Sequence, residues 1–275
     1  MHKYVVFFML AFLASRALSA EADKAGFESG VNFIASARYT DQDNAEILAL
    51  FAGLRVADVS DGMDMAGLPG TGLVDPAIHA DWVDLENLSH QIRGIAVTAR
   101  YVPTQRPDRP GCGEAFQAWE GQFYNAYSHE AFADIIKPGT VIVLDDVEDR
   151  DIGSIGSYNI LAWYQKGAVG VVTDAGARDT DEIGIQKVPL YLAKKGRGIR
   201  PGRNELESVN RPVVIGGVLV CPGDVVVADG DGVIVVPRAV ARQVAEYARQ
   251  ILNKDKAGRR SLYDSLGRPP DQTVQ

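Results

Sequence analysis

Between Ala45 and Leu54 the apolar residues Ile47, Leu48, Leu50 and Phe51 recur at helical spacing, which predicts a helix. The stretch Val56–Met63 continues towards a second short helix, with Ser60 or Asp61 as its possible cap. The pattern then shortens. Ile92–Tyr101, Thr140–Asp145, Ala168–Val172 and Val188–Leu192 are compact runs of β-branched and small apolar residues, the signature of buried strands. Val213–Val220, Val225–Asp229 and Val233–Pro237 read as further strands, the last two joined by the hairpin signal Gly230-Asp231-Gly232. Between the early strands lies Glu114–Ile136, with Phe116, Trp119, Phe123, Tyr124, Tyr127 and Phe132 at near-helical spacing, more typical of a core or subunit interface than of a ligand box. Arg238–Leu252 is an amphipathic helix, and the tail from Lys254 is charged and polar. Strands alternate with helices through the middle and pair near the end, so the expected fold is a mixed α/β sandwich and not a regular doubly wound sheet.

Composition narrows this picture. With 275 residues, 46% hydrophobic and 23% charged, the chain is ordinary for a globular protein with one main core. A formal charge of −8 argues against a nucleic-acid partner. The first residues carry a short positive start, His2-Lys3, an apolar run Tyr4–Ala14 and small residues around Ala20, the anatomy of a secretory signal. The expected organisation is a signal peptide over 1–20, a leader over 21–44, a catalytic domain over 45–253 and a tail over 254–275, exported to the periplasm or beyond and not membrane-bound once cleaved. Cys112 and Cys221 make no metal motif, and nothing in their spacing demands a disulfide.

Candidate chemistry collects after the strands. The stretch GAVGVVTDAGARDTDE, Gly167–Glu182, ends a buried strand and places Arg178 beside Asp179 just beyond it. Ligands of open α/β sheets bind in the crevice outside the carboxyl ends of strands. There an Arg suits a substrate carboxylate and an Asp a hard cation; the ordinary alternative is a strand–turn–helix junction with Asp179 or Thr180 as the N-cap. An acidic run, Asp145, Asp146, Glu148, Asp149 and Asp151, follows another strand. A glycine–serine turn, Gly153–Asn159, leads into a helix over Ile160–Lys166 and can offer backbone N–H groups to an anion. Lys194–Arg203 is the strongly basic stretch, suited either to an acidic substrate or to salt bridges between subunits.

Three segments together, Gly167–Glu182, Gly223–Pro237 (GDVVVADGDGVIVVP) and Ala57–Met63 (ADVSDGM), resemble the RraA-like family, which includes the class II 4-hydroxy-4-methyl-2-oxoglutarate aldolases and the regulator of ribonuclease activity A. The likeness runs from about Leu48 to Ala248. It implies an α/β/α sandwich with a mixed sheet, assembled as a trimer or hexamer with sites at subunit interfaces. It implies that Asp179 binds a divalent cation, Mg²⁺ or Mn²⁺, largely through waters, that Arg178 holds substrate oxygens, and that Glu182 completes the motif. It also implies that the turn bearing Gly156, Ser157, Tyr158 and Asn159 supplies amides to a pyruvoyl carboxylate. One position departs: where the aldolases carry an acid twenty-one residues before the Arg, this chain has Ser157.

The expected activity is cleavage of a carbon–carbon bond in a 2-oxo acid through a pyruvate enolate, either retro-aldol or decarboxylation of an oxaloacetate type. The alternatives are a non-catalytic trimeric partner-binding protein, as in the regulator branch, and a periplasmic lyase or epimerase of sugar acids.

Overall fold

The structure, a computed structural model, describes residues 27–28, 30–106, 111–146 and 151–275. The expected signal segment, together with Glu148 and Asp149, lies outside the described residues. The chain divides into two compact units, Met1–Ala35 and Ser36–Gln275, and the second carries the sheet, its helices and the candidate site.

Eleven strands are present among the described residues: β1 (His79–Ala80), β2 (Ile92–Pro103), β3 (Thr140–Asp145), β4 (Gly153–Ile155), β5 (Ala168–Ala177), β6 (Leu190–Lys195), β7 (Asn204–Val209), β8 (Val213–Ile215), β9 (Val218–Val220), β10 (Val225–Asp229) and β11 (Gly232–Val236). The main sheet runs β1-β6-β5-β3-β2-β10-β11, with β4 added to β5 and β7 to β2. Its centre, β6-β5-β3-β2, is parallel, whereas β10, β11, β7 and β1 join antiparallel. The mixed α/β sheet expected from the strand runs is therefore present.

Six α-helices accompany it among the described residues: α1 (Asp41–Phe51), α2 (Val56–Met65), α3 (Glu114–Ala126), α4 (Ser157–Gln165), α5 (Thr180–Gln186) and α6 (Ala241–Ser265). Alternation along the strands sends two sets of side chains to two faces. One face carries Ile95, Val225, Val227, Ile234 and Val236, and α1, α2 and α6 cover it with Ile47, Phe51, Val59, Met63, Val244 and Ala248. Further along, Ile142, Leu144, Val171, Leu190 and Leu192 pack under Ile160 and Trp163 of α4 and Ile183 of α5. The other face, with Ile92, Val141, Val143, Val172, Tyr191 and Val226, meets Val74, Ile78, Val213, Ile215 and Val220. Backbone bonds between the Gly72–Val74 loop and β11, and the β1–β6 pairing, curl the sheet into a nearly closed barrel around that second cluster.

Several local expectations shift. α1 begins at Asp41, because Thr40 and Asp43 form a reciprocal capping box. Neither Ser60 nor Asp61 caps α2; the helix starts after Arg55, whose backbone N–H donates to Asp58 at 2.9 Å. The expected strand Val213–Val220 is a tight hairpin, β8 and β9, turned by Gly216 and Gly217 at φ +50° and +79°. α6 runs past Leu252 to Ser265, supported by the i,i+4 pairs Arg259–Asp255 and Arg260–Asp264, and Tyr263 then donates to Asp271 to hold the final residues back against it. Gly153–Ile155, expected as turn, is strand β4, so only Gly156 remains before α4. Among the described residues no helix is long and apolar enough to cross a membrane.

Candidate functional site

β5 is buried from Gly170 to Ala177 and flanked by parallel β3 and β6, so the loops after these strands open on one side of the sheet. Arg178 and Asp179 emerge there. β4 fixes the junction: the Arg178 N–H donates to the Ile155 carbonyl at 2.8 Å, and a Cβ on Gly153 would lie only 2.6 Å from the Arg178 Cβ. Asp179 adopts the left-handed conformation, φ 57° and ψ 34°, at the N-cap position of α5. Outside glycine this region costs about 1–3 kcal/mol and persists where surrounding structure imposes it. The Asp179 side chain does not cap its own helix. Its Oδ2 instead accepts from the Ser157 N–H, at the start of α4, at 3.3 Å. The N-cap reading is thus right about position and wrong about what the carboxylate does.

Gly156 keeps the centre of the site open. The point where its Cβ would sit is 3.1 Å from Asp179 Oδ2, 3.5 Å from Asn159 Oδ1 and 3.8 Å from Arg178 Nε. A carboxylate, an amide oxygen and a guanidinium therefore converge on one small volume at the carboxyl ends of the parallel strands. Arg178 and Asp179 lie 4.0 Å apart and both are partly exposed. Among the described residues Asp179 is the only acid within ion-pair reach of Arg178, which leaves the planar fork available to a ligand.

The other expected residues divide. Ser157 takes part through its backbone, so within the turn the amides left for an anion are those of Tyr158 and Asn159, in the first turn of α4 where helical N–H groups have no internal acceptor. The Tyr158 side chain is 83% exposed. Glu182 is exposed on α5 with no described partner. β3 and β5 are parallel neighbours as expected, yet the described acids of the run, Asp145, Asp146 and Asp151, are otherwise engaged. Asp145 pairs with Arg100 at 3.3 Å, Asp146 accepts from Asn204 at 2.6 Å and Asp151 pairs with Arg197 at 2.6 Å. Three cations of the basic stretch are spent within the chain as well, through Lys195 to Asp81, Arg197 to Asp151 and Arg200 to Glu130. Among the described residues no three His, Cys, Asp or Glu side chains gather to hold a metal. A cleft of about 550 Å³, lined by Trp82, Thr180, Asp181, Lys187 and Lys195, starts at the first turn of α5, beside the site and not in it.

Sequence reasoning passed over Glu130. It lies within the aromatic segment and showed no spacing to mark it. Its Oε1 accepts from Asn159 Nδ2 and from Arg200 Nη2, both at 2.6 Å, and its Oε2 from Trp163 Nε1 at 2.9 Å. Arg200, only 3% exposed, also donates to the Tyr101 hydroxyl at 3.1 Å. Burial pushes the Tyr124 phenol above its ordinary pKa while the cations Arg200 and Arg178 pull it back, and the Arg200 guanidinium lies 5.4 Å from the centre of its ring. α3 itself is largely exposed; of its aromatics Phe123 is buried, with Trp119 tilted against it and Tyr127, just past the helix, meeting it edge-on.

The family model described as RraA-like, aldolase/RraA, matches residues 56–235. A relative from Halalkalibacterium halodurans, provisionally named a 4-hydroxy-4-methyl-2-oxoglutarate aldolase, is 29% identical over 130 residues, 47% of this chain and 61% of that protein. A 4-hydroxy-4-methyl-2-oxoglutarate aldolase of Thermus thermophilus is 36% identical over 86 residues, 30% of this chain and 49% of that protein. The chain thus spans about three-fifths and about half, respectively, of the length of these two relatives. Among solved structures, RraAS2 of Streptomyces coelicolor, described as an unusual member of the RNase ES inhibitor RraA family, superposes with a TM-score of 0.61 at 24% identity, covering 81% of this chain and 98% of that one. At that identity the likeness speaks for the fold alone.

Proposed function

The chain belongs to the RraA-like family, and on that footing we propose that it is a divalent-metal-assisted lyase that cleaves a carbon–carbon bond of a 2-oxo acid. The observation that carries this reading is the convergence of Asp179, Asn159 and Arg178 on the space opened by Gly156. The aldolase names of two relatives supply the substrate class, a 4-hydroxy-2-oxo acid of the 4-hydroxy-4-methyl-2-oxoglutarate type, with an oxaloacetate-type decarboxylation as its chemical neighbour.

The donor set suits a hard, hydrated cation. Mg²⁺ keeps several waters and takes one or two carboxylates together with substrate oxygens, and Asp179 offers one partly exposed carboxylate. When bound, the cation would stabilise negative charge developing on the oxygens of the 2-oxo acid. Arg178 grips a substrate carboxylate with its fork, from a backbone held by the N–H bond to Ile155. The amides of Tyr158 and Asn159, in the first turn of α4, would serve a bound anion there. In retro-aldol cleavage the 4-hydroxyl loses its proton, the bond between C3 and C4 breaks, and C3 is protonated to release pyruvate.

Replacing Arg178 by Lys keeps the charge and loses the planar fork. We expect Arg178→Lys to raise KM and lower kcat, with a combined loss in kcat/KM of about tenfold or more. Steady-state kinetics of pyruvate release reads this; wild-type values for both constants would remove Arg178 from the site.

Export and assembly complete the proposal. The N-terminal Tyr4–Ala14 run supports export with cleavage near Ala20. The stripe Tyr158, Leu161 and Tyr164 on α4, each exposed, supports a face covered in a trimer or hexamer. Light scattering and mass spectrometry of the protein recovered from its own cells should give three or six times the mass of a chain lacking residues 1–20. A monomer refutes the assembly, and an intact Met1 refutes the cleavage.

A further inference from the structure

We propose that Glu130 locks the Asn159 side chain so that its amide oxygen becomes the second protein oxygen for the cation at Asp179, replacing the acid that Ser157 lacks. This rests on the reading of Asp179 as a cation site and extends it to two residues outside the Arg-Asp motif.

The argument turns on what a carboxylate can do. An ionised carboxylate only accepts hydrogen bonds, and an Asn amide has one donating and one accepting end. Glu130 Oε1 lies 2.6 Å from Asn159 Nδ2. The opposite assignment would set two oxygen acceptors against each other at that distance, so the nitrogen end must face Glu130. The oxygen end is thereby committed to the other side, where Oδ1 lies 3.5 Å from the space beside Gly156 and Asp179 Oδ2 lies 3.1 Å from the same point.

Glu130 cannot turn away to release this lock. Arg200 Nη2 holds the same Oε1 at 2.6 Å and Trp163 Nε1 holds Oε2 at 2.9 Å. Asn159 and Trp163 lie one turn apart on α4, so a single carboxylate fixes one face of that helix. A neutral amide oxygen is an accepted ligand for hard cations. The pair would hold the cation more weakly than two carboxylates, in keeping with one that retains most of its waters.

Mn²⁺ binding to the purified full chain, followed by electron paramagnetic resonance without any substrate, tests this apart from turnover. Asn159→Leu keeps the side-chain size, removes the oxygen and leaves Glu130 with Arg200 and Trp163; it should weaken Mn²⁺ binding about tenfold. Glu130→Ala removes the acceptor that holds the nitrogen end of Asn159, which leaves that side chain free to turn, and it should weaken binding to a similar degree. Asp179→Asn should weaken it further than either. If Glu130→Ala fails to fold, Asn159→Leu decides alone. Wild-type Mn²⁺ affinity in Asn159→Leu, or no Mn²⁺ binding by the native chain, overturns the proposal. Binding without pyruvate release from any 2-oxo acid would refute the lyase reading and leave this inference standing.

Discussion

Asp179→Asn should abolish metal-stimulated turnover while leaving the fold intact. The substitution removes the charge and keeps the shape. Losing one charge-stabilising contact of this kind costs about 3 kcal/mol of transition-state stabilisation, about a hundredfold in rate. Folding should scarcely notice. Asp179 sits at φ 57°, a conformation that Asn tolerates at least as well, and its carboxylate makes no cap on α5 that could be lost. The remaining amide oxygen can still accept from the Ser157 N–H now bonded at 3.3 Å. Stability should stay within about 0.5 kcal/mol of wild type, the usual range for substitutions away from the core. Thermal melts and metal-dependent pyruvate release on the same sample separate the two effects. Full activity in the variant would return Asp179 to the role of a turn residue.

The second large effect is on stability. Glu130→Ala strips the buried Arg200 guanidinium of its only charged partner among the described residues. Removing one member of a buried ion pair costs about 3–5 kcal/mol, because the remaining charge stays desolvated. Arg200 is 3% exposed and Glu130 19%, so the penalty falls mainly on the arginine. Trp163 Nε1 and Asn159 Nδ2 lose their acceptor in the same step. Urea denaturation should show a midpoint shift of that size with the slope retained. A shift below about 1 kcal/mol would mean that water reaches Arg200 and that the brace is weaker than its geometry implies.

Much of this arrangement was legible from residue order. The β-branched runs Thr140–Asp145 and Ala168–Val172 mark buried parallel strands because both their faces are covered, and both are strands in the structure. The Arg178-Asp179 pair falls beyond β5 as that pattern requires. The curl of the sheet was not legible: it depends on a loop around Gly72–Val74 bonding to β11, a long-range pairing with no local signature. Gly153 and Gly156 read as turn residues, whereas their structural role is close approach, one to the Arg178 Cβ and the other to the Asp179 carboxylate. The basic stretch Lys194–Arg203 read as open to substrate or subunit. Three of its cations proved to be paired inside the chain, since acids distant in sequence fold back onto it. Glu130 was invisible for a similar reason, because a lone acid among aromatics shows its partners only once α4 is in place.

The most direct measurement is pyruvate formation by the purified native chain from 4-hydroxy-4-methyl-2-oxoglutarate and from oxaloacetate, with Mg²⁺ or Mn²⁺ and again with a chelator. The expected result is metal-stimulated pyruvate release from at least one of the two, lost on chelation and restored by adding the cation back. No pyruvate above the uncatalysed rate from either substrate, with any metal, would contradict the assignment of this site to carbon–carbon cleavage.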